Sequence, residues 1–222
     1  MTRRSPRVLV TAGPTHEPID AVRYLANRSS GRLGEAIAEA AVGQGFETTL
    51  LLGPIPREPA PRWRRCPRFE RCEDLRRLLA SEWPRHDCLI MAAAVADFRP
   101  RQVQAGKLRR DGGVASIELE STPDLLAESA SARTARQFVV GFALEPRERL
   151  EASARTKLSR KGIDAIVANP LETMDSTCID GFLLLADGRR RDPPRSGEID
   201  KGEFARWLME TLTPLLEVRA TG

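Results

Sequence analysis

The feature that most limits the fold is an alternation. Short apolar runs of strand length recur at RVLVTAG (7–13), FETTLLLG (46–53), CLIMAAAVADF (88–98), FVVGFALE (138–145) and DAIVANP (164–170). Between them lie stretches with apolar residues at helical spacing: LGEAIAEAAVGQG (33–45), EDLRRLLASEW (73–83), TPDLLAESASAR (122–133) and RERLEASARTKLSRKG (147–162). Strands that are apolar throughout are buried on both faces, and helices following strands in turn supply the cover. The expectation is an α/β fold of Rossmann-like, three-layer type: a mostly parallel sheet with helices on both faces. RFERC (68–72) reads as a short strand and VASIELE (114–120) as a strand, and a small strand-rich lid or extension is expected beside the sheet. GFLLLADG (181–188) reads as an edge strand, and DKGEFARWLMETLTPLLEV (200–218) as a closing amphipathic helix. Gly45 suits the C-cap of the first helix, and Pro123 the first turn of the third. PIPREPAPRWRRCP (54–67) reads as a surface connection. No linker divides residues 1–222, so one domain is expected, with the polar segment RPRQVQAGKLRRDGG (99–113) as a flexible lid.

Composition narrows the class. A hydrophobic share of 41% over 222 residues suits a globular core, and no apolar run reaches the length of a membrane span. The start, MTRRSPRVLVTAG, passes from basic residues straight into a strand, without the apolar stretch of a secretory signal; a cytoplasmic location is expected. Four cysteines with no C-x-x-C pair, and only two histidines, argue against zinc or a disulfide framework. The net charge of +4 is spread along the chain, which gives no nucleic-acid footprint and no membrane partner. Of 35 cationic residues only Lys107, Lys157, Lys161 and Lys201 are lysine. A lysine in an arginine-rich chain suits a place that needs a compact point charge; codon drift is the plain alternative.

Open parallel sheets bind ligands beyond the carboxyl ends of their strands. Gly13, Pro14, Thr15, Asp97, Phe142, Glu145 and Asn169 all fall there. VRYLANRSSGRLG (22–34) sets Arg23, Asn27, Arg28, Ser29, Ser30 and Gly31 directly before a helix. Small residues and donors at a helix N-terminus make an anion site, although serine there can also simply cap the helix. Neither G-x-G-x-x-G nor a P-loop is present, so a phosphate would be held in another way. Lys157 and Lys161 share a helix face, where like charges repel unless an anion lies between them; a solvated face is the alternative. Lys107 sits in the loop that could close over the same ligand. Asp97 suits a ribose, a base or Mg²⁺, or a plain strand-end cap.

Together VLVTAGPTHEPIDAVRYLANRSSGRLG, AAAVADFRP, GKLRR, TPDLLAE, VVGFALE and KLSRKGIDAIVAN, in this order, resemble the phosphopantothenate–cysteine ligases of the bacterial CTP-using type. These form the ligase half of the bifunctional coenzyme A biosynthesis flavoprotein. The resemblance runs from about residue 7 to 169 and weakly into the last helix. It implies that CTP converts the carboxylate of 4′-phosphopantothenate to an acyl-cytidylate with loss of pyrophosphate. The amine of L-cysteine then displaces CMP. It implies CTP contacts at Ala93, Asp97, Lys107, Phe142, Lys157, Lys161 and the segment Pro123, Asp124, Leu125 and Leu126. Asn27 would handle the acyl-cytidylate, Lys107 would support activation, and Ser29, Ser30 and Gly31, with Gly13 and Arg23 nearby, would bind phosphate or substrate. Mg²⁺ is implied with CTP, its ligands left open; no FMN is expected, because the decarboxylase half is absent. A homodimer is implied, and the chain is either a free-standing ligase with a separate decarboxylase as partner or an excised half of the fusion. SSGR in place of SSGK, KLRR for KIKK, FALEP for FAAET and ANP for AND depart from the family pattern. A non-catalytic nucleotide-binding module of the same fold is the alternative; a dinucleotide-dependent reductase lacks its glycine fingerprint here.

Overall fold

The computed structural model describes residues 4–56, 65–110, 116–174 and 176–221. Residues 57–64 of the proline-rich connection and 111–113 of the expected lid lie outside them. In chain order the elements are β1 (Arg7–Ala12), β2 (Glu17–Pro18), β3 (Tyr24–Leu25), α1 (Arg32–Gly43), β4 (Glu47–Leu52), α2 (Cys72–Glu82), β5 (Cys88–Met91), β6 (Phe98–Pro100) and β7 (Leu119–Ser121). There follow α3 (Leu125–Ser131), β8 (Phe138–Glu145), α4 (Leu150–Lys161), β9 (Ala165–Pro170), β10 (Cys178–Ile179), β11 (Phe182–Leu185), β12 (Arg190–Arg191), β13 (Ile199–Asp200) and α5 (Lys201–Thr221).

Seven strands form the central sheet in the order β12-β11-β9-β8-β5-β1-β4. The strands from β4 to β9 run parallel, and β11 and β12 are antiparallel additions. Alternate residues of β1 serve opposite layers, as the two-residue period of a strand requires. Val8, Val10 and Ala12 pack with Ile37 of α1 and Phe204, Leu208 and Leu212 of α5. Leu9 packs in the other layer with Leu75 of α2, Leu125 of α3 and Leu158 of α4. The sheet is therefore the Rossmann-like three-layer arrangement read from the alternation. Because β1 lies between β4 and β5, the chain leaves it in opposite directions on either side. A crevice opens there, above the strand ends.

Close backbone approach shapes that crevice. A Cβ on Gly34 would meet the Ala12 Cβ at 2.5 Å, so the first turn of α1 lies directly on the end of β1. Gly31, with φ 73°, is the N-cap residue of α1.

Several sequence expectations are corrected. The run 88–98 is central-sheet strand only as far as Met91, with Phe98 opening β6; Ala92 to Ala96 leave the sheet because their amides bond to the end of β1 and the chain just after it. Ala93 N–H donates to Thr11 Oγ1 at 3.1 Å, Ala94 N–H to the Gly13 carbonyl at 2.9 Å, and Ala96 N–H to Thr15 Oγ1 at 3.0 Å. RFERC is not a strand: Arg68 makes an isolated bridge to Leu52, and Cys72 already opens α2. Of VASIELE, residues 114–115 lie outside the described residues, 116–118 are not strand, and Leu119 and Glu120 enter β7, which pairs antiparallel with β6. GFLLLADG yields β11, covered on its outer side by β12. Gln44 takes the C-cap of α1, with Gly45 just beyond it at φ 80°. Asp124 caps α3, leaving Pro123 before the helix. The polar loop after β1 contains an unforeseen hairpin, β2 with β3, where the rings of His16 and Tyr24 stack 3.7 Å apart.

Candidate functional site

The crevice is a cavity of about 770 Å³. One wall is the entrance to α1, with Asn27, Ser29, Ser30 and Gly31 followed by Arg32, Leu33 and Gly34. The displaced segment after β5 supplies Ala93 and Asp97. Pro123, Asp124, Leu125 and Leu126 line it from the start of α3, Phe142 from β8, and Lys157 and Lys161 from α4. Residues more than a hundred positions apart in sequence thus meet at the carboxyl ends of β1, β5 and β8.

The tip of α1 is shaped for an anion. The N-cap is the left-handed Gly31 rather than a serine, and the Ser29 hydroxyl accepts the Gly31 N–H at 3.4 Å. The positive end of the helix faces the cavity, where negative charge is favoured. The Asn27 amide donates to the Val95 carbonyl at 2.9 Å, which orients the side chain against the displaced segment.

Each lysine of α4 is held by its own acid. Lys157 Nζ lies 2.6 Å from Glu145 Oε1, and Lys161 Nζ 2.9 Å from Asp124 Oδ1. The Lys157 ammonium, aided by the Ser153 hydroxyl, holds the Glu145 carboxyl below its ordinary range against the effect of burial. Burial pushes the Asp124 carboxyl up, but the Lys161 ammonium and the Ala127 N–H outweigh it and keep it low. The repulsion expected between the two lysines is therefore relieved within the chain.

Three expected site residues do not line the cavity. Gly13 lies beneath it, at φ 82°, where a Cβ would press on the Gly53 backbone at 3.3 Å. Arg23 turns away to Asp20, 2.7 Å distant, and to the Leu108 carbonyl, also at 2.7 Å. Lys107 is exposed on the segment that Arg23 holds. Conversely, Arg160 and Lys201 do line it, and sequence reasoning missed both. The lysine tally held the signal for Lys201: three of the four lysines do reach the cavity, but the third is Lys201 rather than Lys107. Arg28, Arg32, Lys157, Arg160, Lys161 and Lys201 stand in the lining against Asp97 and Asp124. Six cations against two carboxylates, in a low-dielectric cleft, concentrate polyanions.

No group of three or more His, Cys, Asp or Glu side chains able to hold a metal exists among the described residues. Mg²⁺ travelling with a polyphosphate needs only one or two carboxylates, since phosphate oxygens and water fill the other positions. Asp97 fits that role; Asp124 is engaged with Lys161. The four cysteines are free. No helix among the described residues is long and apolar enough to cross a membrane.

A doubly wound sheet with a cationic crevice at its switch point is an arrangement suited to anionic small molecules. The chain belongs to the DNA/pantothenate metabolism flavoprotein C-terminal domain family, which matches residues 4–215. It is 35% identical over 201 residues to the coenzyme A biosynthesis bifunctional protein CoaBC of Bacillus subtilis strain 168, covering 87% of this chain and 48% of that protein. It is 40% identical over 166 residues to a protein of an unknown prokaryotic organism named cysteine/cysteine sulfinic acid decarboxylase, covering 75% of this chain and 46% of the other. The crystal structure of the C-terminal domain of a CoaBC protein superposes with a TM-score of 0.80 at 34% identity, covering 96% of this chain and 97% of that one. The chain thus spans about half the length of the curated relatives it matches.

Proposed function

We propose that this chain is a phosphopantothenate–cysteine ligase of coenzyme A biosynthesis, a single domain that uses CTP with Mg²⁺. The observation that carries the reading is the meeting of the α1 tip, Asn27 and six cations in one crevice, in a chain similar to the ligase half of CoaBC. The reaction brings two anions together, a nucleoside triphosphate and a phosphorylated carboxylic acid, and fixed positive charge is what that requires.

In this reading a carboxylate oxygen of 4′-phosphopantothenate attacks the α-phosphorus of CTP. The bond to the β-phosphate breaks, and pyrophosphate leaves. Lys157, Lys161 and Arg160 hold the triphosphate, exchanging Glu145 and Asp124 for phosphate oxygens. Mg²⁺, held by Asp97, would neutralise part of the charge that builds on the leaving group. The cysteine amine then attacks the acyl carbon, CMP departs with the bonding pair, and the ammonium proton passes to solvent. Asn27, oriented by Val95, offers its amide to the acyl or phosphoryl oxygen. Phe142 and Leu126 form the apolar wall that keeps water from the anhydride. The segment 99–110 acts as the lid and carries Lys107.

A homodimer in the cytoplasm completes the reading. Val22 and Tyr24 of one hairpin, and Phe98, Val103, Ile117 and Leu119 of the other, are large apolar residues left exposed on neighbouring elements. Such a face suits a second copy. A decarboxylase acting on the ligated product, on the same chain or a separate one, would be the next partner, and the ligation itself, which changes no oxidation state, needs no flavin.

Pyrophosphate release tests the function. It should require CTP, Mg²⁺ and 4′-phosphopantothenate together, and ATP should replace CTP poorly. Turnover of nucleotide without the acid would defeat the reading. Lys107→Gln should block activation, whereas Asn27→Asp should slow amide formation more than nucleotide binding.

A further inference from the structure

The hairpin of β2 and β3 and the lid are joined at one buried carboxylate. The Asp20 side chain is wholly buried, although it sits in a polar turn. Its Oδ1 accepts the N–H of Val22 at 2.8 Å and of Arg23 at 2.7 Å, which closes the turn. Its Oδ2 accepts the N–H of Leu108 at 3.0 Å and pairs with the Arg23 guanidinium at 2.7 Å. Arg23 in turn donates to the Leu108 carbonyl at 2.7 Å. Both backbone groups of Leu108 are thus gripped, the N–H by Asp20 and the C=O by Arg23. Two further bonds align the same strip: Ala21 N–H to the Gly106 carbonyl at 3.2 Å, and Gln104 N–H to the Ile19 carbonyl at 3.0 Å.

A surface turn needs no buried charge, and an aspartate closing its own turn needs only one oxygen. The second oxygen is committed to a residue 88 positions away. Charge-assisted bonds from backbone N–H groups to a desolvated carboxylate are among the stronger ones a protein makes. They fix the residue next to Lys107, in a segment otherwise exposed and short of apolar contacts. We infer that Asp20 is a positioning residue, which, through Leu108 and Arg23, sets the place and direction of Lys107 for the activation step. This rests on the ligase reading above. It also gives Arg23 its place: part of the mount of the lid, not of the cavity wall.

Hydrogen exchange and kinetics on the full chain test it. In the wild type the Leu108 amide should exchange at least a hundredfold more slowly than an unprotected amide; exchange at the unprotected rate overturns the clamp, even if every variant misfolds. Asp20→Asn keeps an acceptor for the turn but places an NH₂ or a neutral oxygen where Leu108 and Arg23 need charge. It should lose the Leu108 protection while the core amides of β1 and β8 keep theirs, and tryptic cleavage after Lys107 should quicken at least tenfold. In the pyrophosphate assay its kcat should fall at least tenfold with the KM for CTP within threefold of wild type. Because Asp20 acts through Lys107, the double variant D20N/K107Q should be no more than threefold slower than K107Q. Losses that multiply, or an unchanged cleavage rate with normal kcat, overturn the proposal. An inactive wild type would instead defeat the ligase reading and with it the role of Lys107, while the exchange data would still decide whether Asp20 clamps the lid.

Discussion

Oδ1 of Asp124 accepts the Ala127 N–H at 3.1 Å and the Lys161 ammonium at 2.9 Å, so one oxygen both caps α3 and holds a cavity cation of α4. The two functions separate by substitution. Asparagine caps nearly as well as aspartate, whereas alanine leaves the first-turn amides without a partner. Asp124→Ala should therefore destabilise the fold by about 1 kcal/mol, and Asp124→Asn by less than half as much, because a half-exposed ion pair contributes little on its own. Urea unfolding monitored by tryptophan fluorescence measures both. Equal losses would mean that the ion pair, not the cap, carries the stability.

Gly34 lets α1 rest on β1. A Cβ there would sit 2.5 Å from the Ala12 Cβ and 3.1 Å from the Thr11 carbonyl oxygen, which is backbone and cannot swing aside. Gly34→Ala should cost about 1–3 kcal/mol as the helix lifts from the strand. The lift also moves the anion-binding tip, so the KM for CTP should rise with the loss of stability. Gly43, with open space around its Cβ position, is the control: Gly43→Ala should leave both unchanged or slightly improve stability.

Much of this layout was legible in the chain because its causes are local. The ends of β8 and β9 fall where apolar runs meet proline or a charged residue, and the helix start at Arg32 follows from the glycine before it. The departures have non-local causes. Ala92 to Ala96 look like strand to any pattern of hydrophobicity; what draws them off the sheet is bonding to Thr11, Gly13 and Thr15, some 80 residues earlier. The strands β2 and β3 are two residues each, too short to carry a periodicity. The site was legible where a residue type is unusual for its surroundings, as with Lys157, Lys161 and Asn27. Arg160 and Lys201 escaped notice because each sits in a helix whose pattern already accounts for a charge. The placing of Lys107 was unreadable, since it hangs on Asp20, a residue that looks like any turn aspartate.

The Asp20 carboxyl also gives stability a pH dependence. Its pKa is held down to about 2, first by the Leu108 N–H and then by Val22, Arg23 and the Arg23 charge, against burial. A carboxylate with a lowered folded-state pKa contributes stability that is complete above its unfolded value and is lost as the pH falls toward the folded one. Stability carried by Asp20 should thus be constant above about pH 4, near the unfolded aspartate value, and decline between there and pH 2. The stability gap between wild type and Asp20→Asn should shrink over that window. Urea midpoints taken from pH 6 down to pH 2.5 report it, and a gap that stays constant would place the charge of Asp20 outside the clamp.

Lys157 and Lys201 enter the same cavity from different elements, one from the last part of α4 and the other from the first residue of α5. Lys157 is paired with Glu145, whereas Lys201 also anchors its ammonium on the Ser176 carbonyl, next to the Met174 and Ile179 wall. A reaction that joins two phosphate-bearing molecules has work for cations on separate walls. Lys157→Gln should raise the KM for CTP about tenfold, the loss of one charge-assisted phosphate contact, with little change in the KM for the acid. Lys201→Gln should do the reverse, raising the KM for 4′-phosphopantothenate about tenfold while leaving that for CTP within threefold. Both effects should shrink as salt is raised, because each is the loss of one fixed charge. Steady-state kinetics with one substrate varied at saturating levels of the others separates the two. If both variants weaken CTP alike, the cations serve a single triphosphate, and the acid must find its phosphate partner at the tip of α1 instead.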